Sequence, residues 1–229
     1  MRSLAVLNDQ IVNCTRCPRL VVYRHHVAVI KRRQYRDWSY WGRPVPGFGD
    51  ARASLFVVGL APAAHGGNRT GRVFTGDRSG DWLYDALHVH GFANQARSEH
   101  KHDGLKLAGC YIAAAARCAP PDNKPTPEEL SACRDYLVEE LRLLKKLRVV
   151  VALGKIAFDQ YLVACRVMGR SLPSPAPRFG HGAMYQLPWG ITLMGSYHPS
   201  QQNTFTGKLT RSMFHSVFKQ ARRIVDNKN

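Results

Sequence analysis

Four apolar runs punctuate the chain, at Ser54–Leu60, Cys110–Ala116, Arg148–Leu153 and Ile191–Ser196. Each carries few charges, the pattern of strands covered on both faces. Stretches of helical character alternate with them: Ser79–Gly91, Thr126–Leu147, Lys155–Arg166 and Lys208–Val225. This alternation predicts an α/β fold in which helices sandwich a parallel sheet. The helix at Thr126 has the clearest start. Thr126 caps it, Pro127 suits its first position and Glu129 completes a capping box. Its apolar face runs Leu130, Cys133, Leu137, Leu141, Leu144, so Cys133 points inward near the helix start. The first 50 residues differ in character. Ser3–Val12 and Pro18–Arg33 read as helices, and the aromatic, Pro- and Gly-containing stretch Tyr35–Asp50 as an ordered loop.

Length adds that 229 residues suit one domain with an N-terminal extension over 1–50. No run is apolar and long enough to cross a membrane, and the N-terminus, broken by Asn8 and Asp9, does not read as an export signal. Charge changes the picture more. Lys and Arg number 33 against 16 Asp and Glu, a net +17, more than solubility requires. A polyanionic partner explains the excess, and nucleic acid is the commonest one.

Six cysteines without an export signal argue for metal or redox chemistry over disulfides. Cys14 and Cys17 form a C-x-x-C pair beside Thr15, Arg16 and Pro18. Cys118 ends the second strand and Cys133 lies on the following helix, so a strand end and a helix start can supply two further ligands. Tetrathiolate zinc and a [4Fe–4S] cluster both fit, and spacing does not choose between them. Cys110 and Cys165 lie in apolar stretches and read as core.

The first strand runs into "GLAPAAHGGNRTGRVFTGDRSG", Gly59 to Gly80. This loop has neither G-x-G-x-x-G nor the Lys-Ser/Thr pair of a phosphate loop, which argues against a nucleotide-binding enzyme. Together, the four cysteines, this loop and "SYHPSQQNTFTGKLT" (Ser196–Thr210) resemble the uracil-DNA glycosylase superfamily, specifically its family 5, the iron–sulfur type. "YWGRPVPGFGD" and "RCAPPDNKPTPEEL" extend the resemblance over nearly the whole chain.

The resemblance implies a three-layer α/β/α sandwich around a four-stranded parallel sheet. It implies a [4Fe–4S] cluster on Cys14, Cys17, Cys118 and Cys133, with a structural task, tying the extension to the core. It implies a monomer at the nucleoid in a prokaryotic cytoplasm, acting on DNA that contains uracil or other deaminated bases, hypoxanthine and xanthine among them. The base flips out, its N-glycosidic bond is hydrolysed and an abasic site remains. Small residues keep the walls of the slot thin. Gly59, Ala61, His65 and Asn68 would line it, Phe74 would stack on the base, and Arg69 and Arg72 would meet flanking phosphates. Asp77 would position water and favour a cationic sugar, Asn123 would match an imide edge, and neutral His198 would donate to the carbonyl that gains charge. In the best-known uracil glycosylases the position of Ala61 carries a catalytic Asp, so Asp77 substitutes for it and the pocket is roomier. Gln201, Gln202 and Asn203 would wedge the minor groove, with Lys208 and Arg211 near backbone phosphate. A metal-stapled nucleic-acid-binding module without catalysis is the competing reading; it explains charge and cysteines but leaves three polar residues at three strand ends unexplained.

Overall fold

The computed structural model describes residues 3–227. Its strands are β1 (Phe48–Gly49), β2 (Leu55–Gly59), β3 (Cys110–Ala114), β4 (Val149–Leu153), β5 (Met184–Gln186) and β6 (Thr192–Ser196). They form one sheet in the order β1-β3-β2-β4-β6-β5. The four apolar runs supply β2, β3, β4 and β6, all mutually parallel and buried at every residue. The register sets Val58 beside Ala113, Val57 beside Val151 and Val151 beside Met194. Two antiparallel edge strands, β1 and β5, extend the expected four-stranded sheet to six. Both are short and partly exposed, so neither leaves an apolar run in the sequence.

Eight helices lie among the described residues. They are α1 (Leu4–Val12), α2 (Pro18–Ile30), α3 (Gly67–Thr70), α4 (Arg78–Val89), α5 (Pro127–Leu143), α6 (Lys155–Val167), α7 (Gln201–Phe205) and α8 (Arg211–Asp226). Side chains alternate between the two faces of the strands. Leu55, Val57, Val149 and Val151 face Leu83, Leu87, Phe214 and Phe218 of α4 and α8. Phe56, Val58, Val150 and Ala152 face Leu137, Leu141, Phe158 and Tyr161 of α5 and α6. The chain thus leaves β2 toward one face and β4 toward the other. Adjacent parallel strands that diverge in this way open a crevice at their carboxyl ends.

The capping box at Thr126 is present: the Glu129 N–H donates to Thr126 Oγ1 at 3.3 Å and the Thr126 N–H to Glu129 Oε2 at 2.8 Å. The helix stops at Leu143, short of Leu147, and Leu144 is its C-cap. The final helix starts at Arg211, not Lys208, because Thr210 caps it by accepting from the Met213 N–H. The residues before it form the separate short helix α7.

Arg117 and Glu140 tie the chain after β3 to α5. Both are fully buried, in a two-pronged ion pair whose Nη1–Oε1 limb is 3.0 Å, and the Tyr111 hydroxyl donates to the same carboxylate at 3.4 Å. A buried charge that loses its partner cannot be resolvated. Glu140→Gln is therefore expected to lower the unfolding free energy by about 3–5 kcal/mol, as read by urea denaturation. A loss below about 1 kcal/mol would mean the pair behaves as an exposed one.

Candidate active site

Four parallel strands end at one rim, and the segments that leave them enclose a cleft of about 970 Å³. Asp77, Phe74, Asn123 and His198 all line it. They come from the β2–α4 loop, the β3–α5 loop and the end of β6.

Asp77 is the N-cap of α4, and its Oδ1 accepts from the Gly80 N–H at 2.9 Å. Its other oxygen lies against Gly66, where a methyl group would sit 2.1 Å from Oδ2. Only glycine admits the carboxylate there. Burial pushes the Asp77 carboxyl up to about 6; the Asp81 charge adds to the rise, while N–H groups of Gly80 and Ser79 and the Arg69 charge oppose it. Phe74 holds a left-handed backbone, φ 51°, and its ring covers the end of β2. A side chain on Gly59 would meet that ring at 2.6 Å. His198 faces the ring, centroids 5.9 Å apart. Burial pulls its imidazole down to about 4, so it is neutral near neutral pH. Asn123 closes a short turn, with left-handed φ at both Asp122 and Asn123, and its side chain is exposed. Asn tolerates that conformation better than most residues.

Other predicted residues fall into three groups. Ala61 and His65 line the same cleft; Gln201 and Gln202 stand exposed at its mouth on α7. Lys208 and Arg211 are exposed, Lys208 with its ammonium 4.9 Å from the Tyr197 ring centre and Arg211 paired with Asp85 at 2.7 Å. The third group turns away. Asn68 is fully buried and donates to the Arg24 carbonyl of α2 at 3.2 Å. Arg69 is buried, donates to the carbonyls of His65 and Gly76, and lies over the rings of Tyr35 and Trp38. Arg72 is buried against Ser98, Thr75 and Asp103. The expectation that Arg69 and Arg72 meet phosphates is therefore corrected: the loop doubles back, and its own carbonyls and Asp103 take their charges. Asn203 also fastens instead of wedging, donating to the His198 carbonyl at 2.8 Å.

The sequence reading missed one wall. Tyr23, Arg32, Gln34 and Tyr35, from the N-terminal extension, line the cleft. The interleaved basic and aromatic residues of "KRRQYRDWSYW" are a signal that could have found it. Phe205 was also missed; it ends α7, is 66 % exposed, and lies under the Arg78 guanidinium at 4.3 Å.

The four cysteines gather away from the cleft. Arg19, two residues after Cys17, grips Glu129 through both guanidinium edges, Nε–Oε1 at 2.8 Å and Nη2–Oε2 at 2.7 Å. Arg16 donates to the Ala132 carbonyl at 3.1 Å and to Asp135 at 3.2 Å. These ties lay Cys14 and Cys17 along α5 beside Cys133. Burial, foremost, and the neighbouring thiols raise Cys17, and the same causes push Cys118 up to about 12. Buried Arg24 points a guanidinium nitrogen at the Cys118 sulfur, 3.7 Å away. Among the described residues, no three such side chains close to the spacing of a single bound ion. Cys110 and Cys165 are core residues, as expected.

Residues 46–222 match the family model of the uracil DNA glycosylase superfamily. Relatives named type-5 uracil-DNA glycosylase include proteins of three distant organisms. That of Mycobacterium tuberculosis is 52% identical over 97% of this chain and 82% of its own length. That of Thermus thermophilus is 52% identical over 92% of this chain and 93% of its own. That of Pyrobaculum aerophilum is 46% identical over 93% of this chain and 89% of its own. With its cleft at the carboxyl ends of the strands and its likeness to these relatives over nearly its whole length, the chain belongs to the uracil-DNA glycosylase superfamily, in its type-5 branch.

Proposed function

We propose that this chain hydrolyses the N-glycosidic bond of uracil in DNA and leaves an abasic site. The convergence of Asp77, Phe74, Asn123 and His198 on one cleft carries this reading. A nucleobase in a duplex must leave the stack to reach such a cleft. Phe74 offers a face for the extruded base, and the Asn123 amide a donor and an acceptor for its imide edge. Neutral His198 donates a proton's share of a hydrogen bond to the base carbonyl as the C1′–N bond breaks and the base takes the electron pair. Asp77 as a carboxylate faces the developing cationic sugar and aligns the water whose oxygen bonds to C1′. The water's proton passes to Asp77 and from there to solvent, and the released base anion takes up one proton from solvent. No carboxylate stands at Ala61 to crowd the slot, which supports acceptance of larger deaminated bases, hypoxanthine and xanthine. The exposed Lys208 and Arg211 and the excess positive charge suit a DNA backbone.

The four thiols suit a [4Fe–4S] cluster held by Cys14, Cys17, Cys118 and Cys133. Thiols that raise one another's pKa ionise together only with a cation among them. When bound, the cluster would fasten the extension to α5 and the sheet; bond hydrolysis needs no electron from it. The chain purified under nitrogen is expected to be brown and to contain iron and sulfide in equal amounts, and Cys17→Ser to lose both. A colourless chain with one zinc and no sulfide would contradict this assignment.

Asp77 generates a paired prediction. Its carboxyl is protonated below about pH 6, so the single-turnover rate on a uracil duplex rises tenfold per pH unit up to about 6 and then levels. His198, pulled down to about 4, is mostly neutral above about pH 5, so the inflection near 6 belongs to Asp77. Asp77→Asn is expected to remove the inflection and slow excision by about 10²–10⁴. Stability should move the other way. Asp77 titrates higher folded than unfolded, so its ionisation destabilises the fold as pH rises from 3.8 through about 6. Asp77→Asn should thus gain up to about 3 kcal/mol at pH 8 and almost nothing below about pH 3, by denaturant titration. A variant with an unchanged rate removes Asp77 from the chemistry.

A further inference from the structure

Where the extension meets the cleft wall, one of its tyrosines pairs with a histidine of the β2–α4 loop. The Tyr40 hydroxyl lies 3.0 Å from His65 Nδ1. A hydroxyl has one proton to give. Given to His65 Nδ1, the Tyr40 proton selects one of the two ring tautomers. In that tautomer the His65 Nε2–H is a donor on a residue that lines the cleft. Burial first, then the Arg32 and Arg69 charges, lower the His65 pKa and keep the ring neutral.

Arg32 lines the same cleft, and its side chain is exposed. The arginines of the β2–α4 loop are buried and already bonded, so they leave a phosphate at this wall without a countercharge. Lys155, across the cleft, is paired with Asp159, and Arg78 lies over Phe205. A neutral N–H donor beside an exposed guanidinium suits an anionic oxygen that already carries its full charge.

We infer that Arg32 and His65 form a seat for one phosphate flanking the extruded nucleotide, and that Tyr40 is a positioning residue that aims His65 at it. The inference rests on the reading of the cleft as a lesion-DNA site. It gives the N-terminal extension a direct part in holding substrate, separate from the cysteines that anchor it.

The test uses the full chain and three duplexes, each with one 2′-fluoro-2′-deoxyuridine, whose glycosidic bond resists hydrolysis. One is all phosphodiester. The other two carry a neutral methylphosphonate, one on the 5′ side and one on the 3′ side of the lesion. Affinity is read by fluorescence anisotropy across a salt series. Arg32→Ala is expected to weaken binding to the phosphodiester duplex about tenfold and to lower the salt slope by about one. Tyr40→Phe should weaken it roughly threefold to tenfold, and should add nothing in a His65→Ala background. Both losses should vanish on one of the two methylphosphonate duplexes. Equal losses on all three duplexes, or no loss on any, overturn the seat. Uracil excision by the unaltered chain is measured alongside. If it proceeds while the losses ignore the methylphosphonate, the seat fails and the glycosylase reading stands. A chain that neither excises uracil nor binds these duplexes ends both.

Discussion

The close packing of the β2–α4 loop upon itself is the constraint from which the cleft follows. Gly59 leaves room for the Phe74 ring at the end of β2, and Gly66 leaves room for the Asp77 carboxylate. An added methyl would enter those atoms at 2.6 and 2.1 Å, well inside contact distance, so neither position tolerates a side chain without displacing its partner. Arg69 and Arg72 complete the fold of the loop from inside, by bonding its carbonyls, Ser98 and Asp103. A loop held in this way fixes an aromatic face and a carboxylate in the same cleft before any ligand arrives. Preorganisation of that kind is what makes electrostatic stabilisation effective when charge develops.

The rest of the site depends on topology. β2 and β4 are neighbours whose chains leave toward opposite faces, and the cleft opens where they part. β3 and β6, the outer pair of the parallel strands, bring Asn123 and His198 to the same rim. The residues placed there have contrasting electrostatics for a physical reason. Burial raises the carboxyl of Asp77 and lowers the imidazole of His198, since it disfavours the charged form of each. Near neutral pH the outcome is an anion at Asp77 and an uncharged imidazole at His198 within one cleft.

Much of this was legible in the sequence, and the boundary of what was not is instructive. The four buried strands and the Thr126 cap are local signals, carried by runs, spacing and turn chemistry, while the three polar residues at strand ends stand out through the family resemblance. The two edge strands are too short to make a pattern. Arg69 and Arg72 read as phosphate ligands because the loop that carries them is expected to hold the flipped nucleotide. Their burial depends on Asp103, Ser98, Tyr35 and Trp38, which lie 26 or more residues away and leave no trace near either arginine. The wall formed by Tyr23, Arg32 and Tyr35 is likewise a long-range contact, created when the extension bonds back to the loop through Trp41 and Gly42 to Arg69 and Asn68. Arg117–Glu140 joins a strand end to a helix by the same kind of remote pairing.

A crystal structure of the Asp77→Asn chain with a uracil-containing duplex addresses the central claim most directly, because it asks where the base goes. The account places the uracil outside the helix, its face on Phe74, its imide edge within hydrogen-bond reach of Asn123 and a carbonyl oxygen within reach of His198. A uracil still stacked in the duplex, or lodged at another surface while the cleft holds only solvent, would contradict it.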